Sequence, residues 1–171
     1  MTKALLVIDV QNDYFPGGKF PLWNTEATLA NTVRAIEAAK ARGIAVVLVR
    51  HVADGGKGEA PFFNEGSEGC ELHPAIKKAA PEAPVVVKSF ADGFYRTSLE
   101  ETLASLGVTE LLVCGMMTQN CVTHTAISKA AEKYRVAVVK DCCTTVDVMI
   151  HNIALNALSI RVPLVTVEEV R

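Results

Sequence analysis

The chain contains no apolar run long enough to cross a bilayer. Its first apolar stretch, Ala4 to Ile8, has five residues. A membrane helix needs roughly 20 and a secretory signal core about 7–15, so the expected location is the cytoplasm. It also lacks an excess of either charge. Seventeen Lys and Arg against nineteen Asp and Glu leave a formal net charge of −2, with the basic residues scattered. That composition excludes general affinity for nucleic acid or for an anionic membrane surface. No CxxC spacing occurs among the five cysteines, Cys70, Cys114, Cys121, Cys142 and Cys143. An odd count without that spacing argues against a disulfide framework and against a structural zinc site. Neither GxGxxG nor GxxxxGKS follows the first strand candidate, which sets aside a nucleotide-binding protein. Repeats and low-complexity segments are absent too.

What remains is a chain with 50% hydrophobic residues, ample for one core, and 171 residues, the length of one domain spanning 1–171. Short apolar runs alternate with helical spacing from end to end. The runs are Ala4–Val10, Ile44–His51, Val85–Lys88, Glu110–Cys114, Val136–Val139 and Leu164–Val167. Most are continuous rather than alternating, as strands buried on both faces are. Between them, Leu29, Val33, Ile36 and Lys40 step along one helix that stops at Gly43. Leu99, Leu103 and Leu106 mark another that stops at Gly107. Val122, Ala126 and Ala130 share a face, as do Ile150, Ile153, Ala157 and Ile160. Strands alternating with helices imply right-handed crossovers and a parallel sheet covered on both sides, a three-layer α/β/α sandwich. One connection, residues 52–69, is 18 residues long and holds five glycines. A loop of that length is a lid, a subunit contact or a mobile excursion, and Phe62-Phe63 within it suggests that it packs on something.

In open parallel sheets ligands bind at the carboxyl ends of the strands. Those ends carry Asp9, Gln11, Asn12 and Asp13; Arg50 and His51; Lys88; and Lys140, Asp141, Cys142 and Cys143, while the fourth strand leads through Gly115 to Cys121. Asp9 follows a fully apolar run and needs a partner if buried; a structural ion pair or a turn cap is the alternative to chemistry. Lys88 after three valines is either a snorkelling side chain or a functional one. Cys121 follows the polar turn Thr118-Gln119-Asn120 at an expected helix start, where the dipole and free N–H groups stabilise a thiolate. His51 lies at a strand end and His124 one turn beyond Cys121, but an aspartate–lysine system accounts for the strand ends more economically than a Cys–His pair.

The segments LLVIDVQNDYF (5–15), VVVKSFADGFYRTSLEETL (85–103) and LLVCGMMTQNCVTHTAISKA (111–130) together resemble the isochorismatase-like cysteine hydrolases, a family that includes nicotinamidases and related amidohydrolases. The resemblance implies a six-stranded parallel sheet in the order 3-2-1-4-5-6. It places Asp9, Lys88 and Cys121 on the family's triad, and Met116-Met117 on a non-proline cis peptide. It aims the backbone N–H groups of Met117 and Cys121 at a developing oxyanion. The implied activity is hydrolysis of a small amide or related C–N bond through a thioester. No cofactor is implied, the partner is a small-molecule substrate, and the protein is expected to form a homo-oligomer.

Metal-binding nicotinamidases carry Asp-x-His after the second strand, where this chain has Val49-Arg50-His51, so no metal is expected. Having Cys121 favours C–N substrates over a vinyl ether. Isochorismatase activity proper, nicotinamidase activity and a non-catalytic oligomeric role stay open alternatives. Phe15, Trp23, Phe94 and Asn120 are the expected substrate contacts, with Phe90 a further aromatic near them.

Overall fold

The computed structural model describes residues 2–171; Met1 lies outside the described residues. Six strands, β1 (Lys3–Ile8), β2 (Ala45–His51), β3 (Val85–Lys88), β4 (Glu110–Met116), β5 (Arg135–Thr144) and β6 (Leu164–Val165), form one sheet in the order β3-β2-β1-β4-β5-β6. Every neighbouring pair is parallel. The helices are α1 (Thr25–Ala41), α2 (Pro74–Ala79), α3 (Leu99–Ser105), α4 (Thr123–Ala126) and α5 (Val148–Ser159). This is the three-layer arrangement and strand order expected from the sequence. β1 sits at the centre with Ala4 to Ile8 buried on both faces. Each such Leu, Ile or Val contributes about 1.5–3 kcal/mol by leaving water. Helix α1 packs across β1, β2 and β5 and against α2. Gly43 and Gly107, the expected helix stops, both take positive φ.

Four details depart from the sequence reading. In β3, Val85 and Val87 are about half exposed, because β3 is the last strand at one end of the sheet and is covered on only one face. β5 runs to Thr144 rather than ending at Val139, so Lys140, Asp141, Cys142 and Cys143 lie within the strand. A register shift against β4 between Val113 and Gly115 accommodates the extra length. In α5 the buried residues are His151, Ala154 and Leu158, while Ile153 and Ile160 are exposed. The exposed side of Val148–Ser159 carries Asn152, Asn156 and Ser159, and those isoleucines lie beside them rather than on the His151, Ala154 and Leu158 face. Finally, the helix after β4 is broken. A π-helical turn over Thr118–Val122 leads into the single turn of α4, and a 3-10 turn follows at Lys129–Lys133.

The tip of β4 is pressed against β1. A Cβ on Gly115 would lie 2.0 Å from the Ile8 carbonyl oxygen, and its φ is +124°. Only glycine fits both conditions, and this close approach brings the segment that carries Cys121 beside the end of β1.

Candidate active site

The sheet register dictates which strand-end side chains can meet. Ile8 pairs with Val49 and Val49 with Val86, while His51 pairs with Lys88. Parallel partners share a face and successive residues alternate, so strict alternation would put Asp9 on the face opposite Lys88. Asp9 instead leaves the strand with a left-handed φ of 52°, its N–H still held by the Val49 carbonyl at 2.9 Å. That turn returns the carboxylate to the lysine's side. Backbone in this region is uncommon for a residue with a Cβ and concentrates at functional sites.

Lys88 Nζ then donates to Asp9 Oδ2 at 2.8 Å and to Cys121 Sγ at 3.3 Å, and lies 2.9 Å from His51 Nδ1. Both ends of the Lys88–Asp9 pair are shut off from solvent. The other carboxylate oxygen, Asp9 Oδ1, is buried without a hydrogen-bond partner. Cys121 is fourth in the π-helical turn, whose signature is the Val122 N–H bonded to the Met117 carbonyl at 3.3 Å. Such turns recur at functional sites. Thr123 Oγ1 donates to the Thr118 carbonyl at 2.6 Å, and Thr118 Oγ1 lies 2.8 Å from His151 Nδ1, tying the turn to α5. The Met116–Met117 peptide bond that precedes the turn is cis.

Burial, and then the Asp9 carboxylate, push the Cys121 thiol up to about 12, with Lys88 pulling the other way. The resting thiol is therefore protonated at neutral pH, and Asp9 is at hand to take the proton. The helix that follows Cys121, Thr123–Ala126, is a single turn. Burial opposes the charge on Lys88, yet Asp9 and Cys121 outweigh it and hold its ammonium above the ordinary lysine value. His51 is held down to about 4 by burial and by Lys88, with Asp9 opposing, so its ring is neutral.

Asp9, His51 and Cys121 each offer a donor atom within 4.8 Å of the others, the donor set of a small metal site. Lys88 Nζ touches all three, so its ammonium is the cation of this cage and the residues present do not fit a metal ion as well.

The expected substrate contacts have the following surroundings. Phe15 packs on His73 with centroids 4.4 Å apart and faces a cavity of about 620 Å³ whose walls, from 12–19 and 67–74, exclude Asp9, Lys88 and Cys121. Phe94 stacks on Tyr134 at 6.1 Å, and Phe90 pairs with Tyr95. Trp23 lies 5.8 Å from His151 and is bonded through its backbone to Thr145. Asn120 adjoins Cys121 in the chain, and its carbonyl accepts from His124 Nδ1 at 2.9 Å. That bond leaves His124 exposed.

Sequence reasoning missed the aromatic wall next to the triad. Asp13 accepts from the Phe63 N–H at 2.8 Å and the Lys19 N–H at 3.1 Å. Its carboxylate occupies the space that a side chain at Gly69 would need. Phe63, drawn in from the 52–69 loop, packs edge-on against Tyr14 at 4.6 Å and lies 5.8 Å from His51. The Phe62-Phe63 pair was the only sequence signal for this docking.

A family model described as Isochorismatase domain matches residues 3–169. Over 152 residues the chain is 39% identical to an uncharacterized isochorismatase family protein, YddQ, of Bacillus subtilis, covering 89% of this chain and 83% of that protein. A streptothricin hydrolase of Streptomyces noursei is 34% identical over 85% of this chain, which spans only 56% of that protein's length. Among solved structures, an isochorismatase hydrolase from Oleispira antarctica superposes with a TM-score of 0.87 at 35% identity, covering 98% of this chain and 95% of that one. With this match over nearly the whole chain, and with Lys88 bonded to both Asp9 and Cys121 at the carboxyl edge of the sheet, the chain belongs to the isochorismatase family of hydrolases.

Proposed function

We propose that this protein hydrolyses a small amide or related C–N bond through a thioester on Cys121. The observation that carries the proposal is the Lys88 ammonium bonded at once to Asp9 and to the Cys121 sulfur. With its thiol protonated at rest, Cys121 needs a base at the moment of attack. Asp9 is that base, and its unpartnered Oδ1 is the free lone pair that accepts the proton.

The sulfur adds to the carbonyl carbon and the carbonyl π electrons move to oxygen. Backbone N–H groups of Met117 and Cys121 stabilise that oxyanion. Collapse expels the amine or ammonia, which leaves with the proton held by Asp9. Water then attacks the thioester, giving a proton to Asp9. The second collapse releases a carboxylic acid and returns Cys121 to its thiol. Through both steps Lys88 stays charged, offsetting the negative charge as it moves between Asp9 and sulfur. Similarity to a streptothricin hydrolase supports the hydrolytic assignment. Asn120, within the nucleophile turn, and Trp23, against the His151 that holds that turn, are proposed to contact the substrate in a homo-oligomer.

The test is release of ammonia or amine from a panel of small amides and carbamoyl compounds, with isochorismate included. Wild-type protein should turn over at least one amide, and Cys121→Ala should turn over none while its unfolding transition is retained. Equal activity of the two proteins would refute the assignment.

A further inference from the structure

Gln11 and His51, which the hydrolytic scheme does not use, form a line of contacts that ends on Lys88. Gln11 is fully buried. Its amide takes both backbone groups of His51, Oε1 accepting the N–H at 2.8 Å and Nε2 donating to the carbonyl at 2.8 Å. The same Nε2 donates to the Cys70 carbonyl at 2.8 Å. Gln11 thus pins the last residue of β2 as a continuing strand would, and β2 pairing sets His51 directly beside Lys88.

An ammonium has three N–H donors and no lone pair. Lys88 Nζ has three neighbours within reach, Asp9 Oδ2, His51 Nδ1 and Cys121 Sγ. Nδ1 must therefore accept, which fixes the ring proton on Nε2. Donors and acceptors match in number. Without His51 one N–H of a buried cation would be unpaired, and the ammonium would be free to tip towards either remaining partner.

We propose that His51, clamped by Gln11, is a positioning residue: it accepts the third N–H of Lys88 and so keeps the ammonium centred between Asp9 and Cys121. The inference rests on the roles given to Lys88 and Cys121 above for its consequence in turnover, but the geometry stands apart from the substrate. The depressed basicity of His51 agrees with it, since a protonated ring could not accept. The charged and titratable groups around the His51 ring are Lys88, Asp9 and Cys121; the Cys70 thiol donates to its backbone carbonyl at 3.4 Å, and Phe63 is an aromatic neighbour.

The test is the rate of Cys121 alkylation by iodoacetamide, read by mass spectrometry of the Cys121 peptide in wild type, His51→Leu and His51→Asn. Leucine fills the ring's space without an acceptor, and asparagine keeps an oxygen near Nδ1. With the third acceptor gone, Lys88 holds its charge less firmly and stabilises the thiolate less. Below the thiol's ionisation the rate follows the thiolate fraction, so each unit of further upward shift slows alkylation about tenfold. The expected result is H51L slowed by about tenfold or more and H51N close to wild type. A ring that merely fills space gives the reverse order, with H51L unchanged and H51N faster as Cys121 opens to solvent, and that overturns the proposal. If H51L does not fold, His51→Phe makes the same comparison. Because alkylation reads the thiol alone, failure of every amide in the panel would refute the hydrolytic reading and leave this one standing.

Discussion

His51 and Lys88 face each other across β2 and β3, with the imidazole Nδ1 2.9 Å from the lysine Nζ. A neutral imidazole against a buried ammonium gives the site a base that resists protonation and a cation that resists displacement. The consequences reach the pH response of the protein, its metal affinity and its chemistry.

The first concerns the nucleophile itself. With Cys121 held up to about 12, alkylation of the free protein should keep rising with pH well past 9. An exposed thiol would reach its plateau about one unit above its usual ionisation near 8.5. The check is a pH–rate profile of iodoacetamide labelling; a plateau near pH 9.5 would show a thiol that burial and Asp9 do not control.

Acid stability should carry the signature of His51. Its folded value of about 4 lies below the unfolded value of 6.5, so between those limits the unfolded chain binds more protons. The contribution is fully present above pH 6.5 and is lost as pH falls through 4. Urea unfolding at several pH values should therefore show a steeper loss of stability in this window for wild type than for His51→Asn.

Removing the internal cation should expose the donor cage. Lys88→Ala leaves Asp9, His51 and Cys121 around a vacant centre, and these are ligands that divalent transition metals accept. The expected outcome is binding of one Co²⁺ per chain with a thiolate-to-metal absorption band, missing in wild type and in Lys88→Ala/His51→Leu.

Helix α5 yields a contrast within one element. Leu158 is 2% exposed and Ile153 63%. Leu158→Ala should cost about 2–5 kcal/mol, whereas Ile153→Ser should change stability by no more than about 0.5 kcal/mol. Chemical denaturation of both variants measures the difference. Equal losses would place Ile153 in the core.

The sequence made the sheet legible because its strands are continuous apolar runs that no other element accommodates, and the order of the layers followed. Asp9, Lys88 and Cys121 stood out as polar groups at the ends of such runs. Their meeting was not legible from pattern alone, since it depends on the left-handed backbone at Asp9 that breaks alternation. His51 appeared at a strand end, but its partner depends on the β2–β3 register, which spacing along one chain does not encode. The outward turn of Ile153 and Ile160 was hidden because these apolar side chains share the exposed side of the helix with Asn152, Asn156 and Ser159. The ring partners of Phe15 and Phe94, His73 and Tyr134, were not legible because they are distant in the chain. The depth of burial at Cys121, which raises its thiol, was not legible either, because it depends on elements packed over the turn from elsewhere in the chain.

The most direct measurement is capture of the covalent intermediate. With an amide that the protein hydrolyses, rapid acid quenching followed by mass spectrometry should find the acyl group on the Cys121 peptide. Hydroxylamine should release it as the hydroxamate, and neither signal should appear in Cys121→Ala. Steady turnover by Cys121→Ala, or an acyl group found on another residue, would contradict the account.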